Sequence, residues 1–121
     1  MYTPSRATIY ELETFLPRAP GRGAQTIAID VTAYGYPAGA EAVELLLGCQ
    51  SWGDGGYAVA YDGLTAATDR IAAYPTALMR NAFTMTRARV ELENSSFLLL
   101  IRPVGEPVKI IAVLKGYYTA P

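Results

Sequence analysis

The segment GYPAGAEAVELLLGCQ, residues 35–50, joins a Gly/Pro turn directly to a run in which apolar side chains recur at every second position. Alternation of this kind is typical of a β-strand with one buried face. The side chains predicted on the buried face are Val43, Leu45, Leu47 and Cys49. On the other face Glu44 is followed by Leu46, so we expect that face to be partly covered by a partner.

Five further segments are predicted strands, with turn residues between them at intervals of about ten residues. They are QTIAIDV at 25–31, YAVAYDG at 57–63, the stretch 82–93, FLLLIR at 97–102 and VKIIAVLKG at 108–116. The glycine-rich SWGDGG at 51–56 predicts a hairpin, and residues 65–74 form either a short helix or a loop. The sequence therefore predicts an all-β protein, an antiparallel β-sandwich or a jelly-roll-like fold.

The composition indicates one domain with few charges. The chain has 121 residues, of which 51% are apolar and 17% charged, and its formal net charge is -1. So few charges leave much of a monomer's surface apolar, which favours a homo-oligomer. A net charge near zero does not favour nucleic acid as a partner. The longest apolar runs, at 97–101 and 110–114, are far shorter than the roughly 20 residues of a membrane-spanning helix, so we expect no membrane span.

Residues 1–24 differ in character from the rest of the chain. We interpret them as an N-terminal arm that can hold a first strand, and residues 25–121 as the sandwich domain. The segment LPRAPGRGA at 16–24 has two prolines, two glycines and two arginines but no apolar period. It is either a solvated connection or a peptide that lies over a neighbouring subunit. In the second case the candidate assembly contacts are Arg18 and Arg22.

The sequence argues against an enzyme, mainly because it contains no histidine. Histidine is the most frequent general base near neutral pH and a frequent zinc ligand, so Ser-His pairs, Cys-His pairs and most zinc sites are excluded. The acids Glu91 and Glu93 share a strand face with Arg87 and Arg89, which indicates cross-strand charge pairing rather than acid-base catalysis. We therefore expect no catalytic residue, no cofactor and no metal.

Aromatic side chains suggest a contact surface. The chain has nine tyrosines and one tryptophan, several of them near predicted turns or strand ends. A ring with a polar tip can stack on a sugar or pack in a protein interface. The candidate glycan or interface contacts are Tyr34, Tyr36, Trp52, Asp54 and Tyr57. The alternative is that the rings close the ends of a sandwich core.

Three stretches resemble a known family. They are VTAYGYPAGAEAVELLL at 31–47, GGYAVAYDG at 55–63 and VKIIAVLKGYYT at 108–119. They are similar to the landmarks of small β-sandwich domains of bacteriophage virion accessory proteins, which also occur as repeats in bacterial surface proteins. The resemblance extends over about residues 27 to 119, except at 64–82, where the family pattern does not align. It implies a domain that decorates a capsid or belongs to a tail fibre or baseplate, with no catalytic residues.

We therefore expect a non-enzymatic structural protein of a virion, assembled in the host cytoplasm. Its partners would be the major capsid protein or tail proteins. A one-domain chain with an irregular N-terminal arm favours a capsid decoration or cement protein over a fibre, which usually carries a longer shaft. The alternative is a tail fibre or baseplate component that binds a host-surface glycan through Trp52 and the nearby tyrosines.

Overall fold

A computed structural model, which describes residues 1–17, 24–53, 55–77 and 80–121, contains eight β-strands. They are β1 (Tyr2–Phe15), β2 (Gln25–Asp30), β3 (Ala42–Ser51), β4 (Tyr57–Tyr61), β5 (Ile71–Ala73), β6 (Phe83–Glu91), β7 (Ser96–Arg102) and β8 (Val108–Tyr118). Two short 3-10 helices, Val31–Tyr34 and Thr68–Arg70, are the helical segments of this described part. Neither of them has the length and apolar character needed to cross a membrane. The prediction of an all-β protein is confirmed.

The strands form two antiparallel sheets of four strands each. Sheet A has the order β1-β8-β3-β6, and sheet B has the order β2-β7-β4-β5. The chain crosses from one sheet to the other in every connection except that between β4 and β5. Eight strands arranged in two sheets in this order form a jelly roll, one of the two architectures predicted from the sequence.

The core lies between the sheets and is built from alternate residues of the facing strands. Its buried side chains include Val43, Leu45, Leu47 and Cys49 on β3 and Phe97, Leu99 and Ile101 on β7. The face of β3 predicted to be buried is therefore the face that the structure buries. Each fully buried aliphatic or aromatic side chain of this kind stabilises the fold by about 1.5–3 kcal/mol relative to its exposed state.

The first strand is a long edge strand of sheet A. β1 pairs with β8 from Tyr2 opposite Tyr118 to Phe15 opposite Val108. The register shifts three times along this pairing, and Leu12 has a φ of 56°, so β1 follows β8 through bulges. Residues 2–15 of the segment interpreted as an arm thus belong to sheet A. Residues 18–23, with Arg18 and Arg22, lie outside the described residues.

The stretch at 65–74 contains one 3-10 turn, Thr68–Arg70, followed at once by strand β5. β5 pairs with β4, and this pairing places Ala73 opposite Ala60 in the core. Alanine favours a helix when local propensity decides, but strand formation depends on the neighbouring strand and on burial. The edge position beside β4 therefore gives this alanine-rich segment an extended conformation.

The turn at 51–56 does not form the predicted hairpin. β3 pairs with β6 and β8, whereas β4 pairs with β5 and β7. Both neighbouring positions of β3 are filled by strands from later in the chain, so β4 has to join the other sheet. At this crossing the buried Ser51 donates a hydrogen bond from its Oγ to the Gly53 carbonyl at 2.6 Å, close beside Gly56.

The close crossing predicts that Gly56→Ala is destabilising. A Cβ at Gly56 would lie 2.5 Å from Ser51 Oγ and 2.7 Å from Val108 Cγ1, both on buried side chains. We expect the free energy of unfolding to fall by about 1–3 kcal/mol, measured by urea denaturation. Gly39→Ala is the matched control, since a Cβ there meets no atom within 4 Å. Its expected effect is a gain of up to about 1 kcal/mol, and equal losses in both variants would contradict the crossing.

Candidate interaction surface

The predicted aromatic contacts are divided between the two ends of the sandwich. Tyr34 and Tyr36 follow β2, and Tyr36 packs against Tyr117, which pairs with the start of β3. Trp52 comes directly after the last residue of β3, and Tyr57 begins β4. β3 has ten residues, a strand of about 30 Å. The four rings therefore do not form one cluster.

Tyr36 is a core residue, with 4% of its surface exposed. Its hydroxyl donates a hydrogen bond to the backbone carbonyl of Ser5 in β1, and its ring centroid lies 5.1 Å from that of Tyr117. Burial raises the pKa of Tyr36 to about 12, with smaller contributions from Tyr2 and Tyr117. A ring this deeply buried cannot stack on a sugar. Its hydroxyl instead links the core to the backbone of β1.

Tyr34 lies at the end of the first 3-10 helix and is half-buried against the core. Asp30 caps this helix, because its Oδ1 accepts hydrogen bonds from the backbone N–H of Thr32 at 2.9 Å and from the Thr32 hydroxyl at 2.7 Å. These bonds lower the pKa of the Asp30 carboxyl. Gly35, with a φ of 87°, ends the helix in the left-handed conformation. The segment is thus a well-defined connection that closes one end of the core.

Trp52 extends the outer face of sheet A beyond the end of β3. Since Ser51 points into the core, the next side chain in the chain turns outward. The Trp52 backbone N–H donates to the Pro107 carbonyl at 3.3 Å. The Lys109 Nζ atom lies 5.4 Å from the centroid of the half-buried indole ring, within the range of a cation–π interaction. Trp52 and Lys109 therefore form one aromatic and cationic corner of the surface.

Tyr57 lies on the outer face of sheet B instead. Its ring is edge-on to that of Tyr74 at 5.4 Å. Arg102 donates a hydrogen bond to the Tyr57 hydroxyl at 3.4 Å, and the Arg102 Cζ atom is 5.9 Å from the ring centroid. Trp52 and Tyr57 thus belong to different faces of the sandwich. Asp54 lies outside the described residues.

The outer face of β3, which the sequence predicts to be partly covered by a partner, belongs to an apolar patch that sequence reasoning did not assemble across the strands of sheet A. We call it the Met85 patch, and it consists of Leu46, Gly48, Phe83, Met85 and Ile111. Phe83 is 38% exposed and Met85 is 50% exposed. The register places Gly48 between Met85 on β6 and Ile111 on β8. A Cβ at Gly48 would lie 2.9 Å from Phe83 Cε1 and 3.2 Å from Met85 Cγ, so both side chains fold over the glycine.

Ion pairs border the Met85 patch on the same face. Glu44 accepts hydrogen bonds from Arg87 Nε at 3.1 Å and from the Tyr118 hydroxyl at 2.9 Å. Arg89 Nε lies 2.7 Å from Glu91 Oε1 on the same strand, and its Cζ atom is 4.3 Å from the Tyr118 ring centroid. The predicted cross-strand pairing is confirmed for Arg87, whose partner Glu44 lies on β3, whereas Arg89 pairs with Glu91 on its own strand.

Glu91 and Glu93 do not come together as a pair of carboxylates. Glu91 is held by Arg89, as described above. Glu93 lies beyond the end of β6, where its Oε1 is 3.9 Å from Arg70 Nη2 and accepts a hydrogen bond from the Leu64 backbone N–H at 3.2 Å. Each acid therefore has its own cation and its own structural contacts.

The reactive groups of the described residues are few. Burial raises the pKa of the Cys49 thiol to about 11, so the thiol stays protonated at neutral pH. Within the described ranges, no group of three or more His, Cys, Asp or Glu side chains is arranged so that it could hold a metal ion. The Met85 patch and the Trp52 corner are therefore the features of sheet A from which a function can be argued.

No protein-family model matches the chain, and no curated protein matches it. The resemblance to phage accessory domains therefore depends on the quoted motifs alone. Function has to be argued from the fold and from the chemistry of the surface.

The buried hydroxyl of Tyr36 predicts a measurable contribution to stability. Tyr36→Phe removes the hydrogen bond to the Ser5 carbonyl and leaves that acceptor without this donor. We expect the free energy of unfolding to fall by about 1 kcal/mol in urea denaturation. Tyr34→Phe changes the neighbouring half-buried ring and should cost less than half as much. Equal losses would show that the Ser5 contact does not stabilise β1.

The raised pKa of Tyr36 also predicts a loss of stability in alkali. The phenol has a pKa of 10.0 in the unfolded chain and of about 12 in the folded one. The stabilising effect is complete below the unfolded pKa, and it is lost as the pH rises between these two values, because the unfolded chain releases the proton first. We expect the urea midpoint of the wild-type protein to fall more over this pH range than that of Tyr36→Phe. Identical pH profiles would contradict the assignment.

Proposed function

We propose that the chain is a non-enzymatic structural protein of a bacteriophage virion, and in particular a capsid decoration or cement protein. The observation that carries the proposal is the Met85 patch. Two large apolar side chains, Phe83 and Met85, are more than one-third exposed on a packed sheet. A contiguous exposed apolar surface of this kind is typical of a protein contact site.

The surroundings of the patch support a protein partner. Arg87, Arg89 and Lys109 lie on the same outer face, and Arg87 and Arg89 are already paired with acids. An apolar centre with a charged rim is the usual anatomy of a protein interface. The rim sets the orientation of the partner, while the apolar centre supplies most of the binding energy. A neighbouring capsid protein is a partner of this chemistry.

The architecture agrees with the proposal. Jelly rolls occur among viral capsid domains and among lectins, although a fold by itself does not determine a function. The resemblance of the quoted motifs to virion accessory domains points in the same direction. A decoration protein requires a rigid body and surface contacts to its neighbours, and an eight-stranded sandwich with the Met85 patch supplies both.

A second function is favoured by the Trp52 corner. The half-buried indole beside Lys109 is a surface on which a sugar ring can stack. This supports the alternative of a tail fibre or baseplate component that binds a host-surface glycan. Tyr36 is buried and Tyr57 lies on sheet B, so Trp52 would bind without them.

Cosedimentation with phage capsids that lack the protein tests the proposal, with isolated tails and host cells as parallel baits. We expect saturable binding of the wild-type chain to capsids. Met85→Asn should weaken that binding by about tenfold or more, because the substitution places a polar amide in the centre of the contact. Leu12→Asn is the matched control: Leu12 is 48% exposed and lies on the opposite edge strand, and asparagine tolerates its positive φ.

The three baits separate the two functions. Binding to host cells or tails alone would overturn capsid decoration. Loss of cell binding in Trp52→Ala, with capsid binding unchanged in Met85→Asn, would favour the glycan function instead. Circular dichroism of each variant verifies that the fold is retained.

The predicted contacts Arg18 and Arg22 need a different test. Deleting residues 1–24 would remove β1 from its pairing with β8 and disturb sheet A. The double substitution Arg18→Ala with Arg22→Ala leaves β1 in place. We expect it to release the protein from capsids if the segment docks on a neighbour, whereas unchanged binding would favour a solvated connection.

A further inference from the structure

The outer face of sheet B has no charged side chain in its two central rows, all of whose positions are described. The strand register gives one row as Ala28, Leu98, Tyr61 and Ile71 and the next row as Thr26, Leu100, Val59 and Tyr74. Sheet A differs, because its outer face carries Glu44, Arg87, Arg89 and Lys109. The two sides of the sandwich are therefore chemically distinct.

Several of these side chains are accessible. Ile71 is 38% exposed and Tyr74 is 51% exposed, and the two leucines of β7 are half-buried. Val59 and Tyr61 point to the same side but are only 2% and 9% exposed. The result is an apolar layer spread over four strands, outside the core. Such a layer is typical of a surface that packs against another protein.

Charges of opposite sign stand at opposite ends of this face. Asp30 ends β2 and lies opposite Ser96, the first residue of β7. Arg102 ends β7 and lies opposite Tyr57. Both side chains are exposed. The Arg70–Glu93 ion pair lies at the Asp30 end beside Gly63 and adds no net charge. The face is thus apolar in the middle, with Asp30 at one end and Arg102 at the other, a distribution that complements its own copy after a half-turn.

We propose that the outer face of sheet B packs against the same face of a second copy of the chain, around a two-fold axis that lies in the interface and crosses the strands. This axis reverses the strand direction between the copies, so Leu98 of one copy lies near Leu100 of the other. It also brings Arg102 of each copy to the Asp30 end of its partner. The contact is isologous and closes after two copies.

The size of the face sets the strength of the dimer. β7 has seven residues, a length of about 23 Å, and four strands span about 19 Å. The two copies together bury on the order of 1,000 Å², the lower limit of a specific interface. We therefore expect a dimer that dissociates on dilution rather than an obligate one.

Sedimentation velocity of the purified protein over a dilution series tests the proposal. We expect a monomer–dimer equilibrium whose dissociation constant rises by about tenfold or more in Leu100→Asp, which places a carboxylate in the centre of the face. Leu46→Asp is the matched control, since Leu46 is also a half-buried outward leucine, on a central strand of sheet A. We expect the dissociation constant of the Leu46→Asp dimer to stay close to that of the wild-type protein. A wild-type monomer at all concentrations, or a dimer lost only in Leu46→Asp, would overturn the proposal.

The orientation of the two copies is tested with exposed residues, so that folding is not at risk. Arg102→Glu should raise the dissociation constant by about tenfold, because the introduced carboxylate faces Asp30 of the second copy. Adding Asp30→Asn should recover part of this loss, since asparagine caps the 3-10 helix as well as aspartate does. No change in Arg102→Glu, or no recovery in the double variant, would overturn the proposed axis.

This inference rests on the proposed function in one respect, which is that a decoration protein is expected to be an oligomer. Dimerisation is measured without particles and capsid binding with them, so failure of one is distinguishable from failure of the other. If the wild-type protein is monomeric in solution and Leu100→Asp abolishes capsid binding, the outer face of sheet B binds another virion protein. That result also overturns the proposed contact with a second copy.

Discussion

Burial of one face of β3 is the constraint on which the rest of the structure depends. β3 lies between β8 and β6 in sheet A, and its inward side chains are fully buried. Because both of its neighbours come from later in the chain, β4 is forced into the second sheet. The close crossing at 51–56, the position of Trp52 on one face and the position of Tyr57 on the other all follow from this arrangement.

The sequence was sufficient to predict the buried side of β3, since side-chain direction alternates locally along a strand. It was not sufficient for β4, where Ala58 and Ala60 face the core and the larger Val59 faces outward. It was not sufficient to predict which strands pair, because pairing joins residues that are far apart in the chain. Trp52 and Tyr57 are five positions apart in the sequence and end on different sheets. The Met85 patch required the register between β3 and β6, which no local pattern contains.

Tyr36 illustrates a second limit. Its position after a Gly residue in a turn favours a surface location, and tyrosines are often only partly buried. The structure buries it because its hydroxyl reaches the backbone of β1. The phenol thus adds a tertiary contact to β1, which is otherwise held by its pairing with β8 and by the packing of side chains such as Ile9 and Phe15 against the core. A contact of this kind depends on tertiary structure and leaves no periodic signal.

The two outer faces give the molecule two chemically different sides. Sheet A carries ion pairs around an apolar centre, whereas the middle of sheet B is uncharged. Exposed ion pairs contribute little net free energy, about 0–1 kcal/mol each, so those on sheet A contribute more to selectivity than to affinity. A body with contact surfaces on both sides can join neighbours that do not touch each other.

The position of β8 between β1 and β3 has a consequence for folding. Neither β1 nor β3 can form this pairing until residues 108–118 are available, and β1 then closes a loop of about one hundred residues. Pairing between such distant segments slows folding, since chain entropy is lost before the contacts form. During that interval the apolar faces of β3 and β7 are open to other chains, so the protein is most prone to aggregation before its last strand is in place.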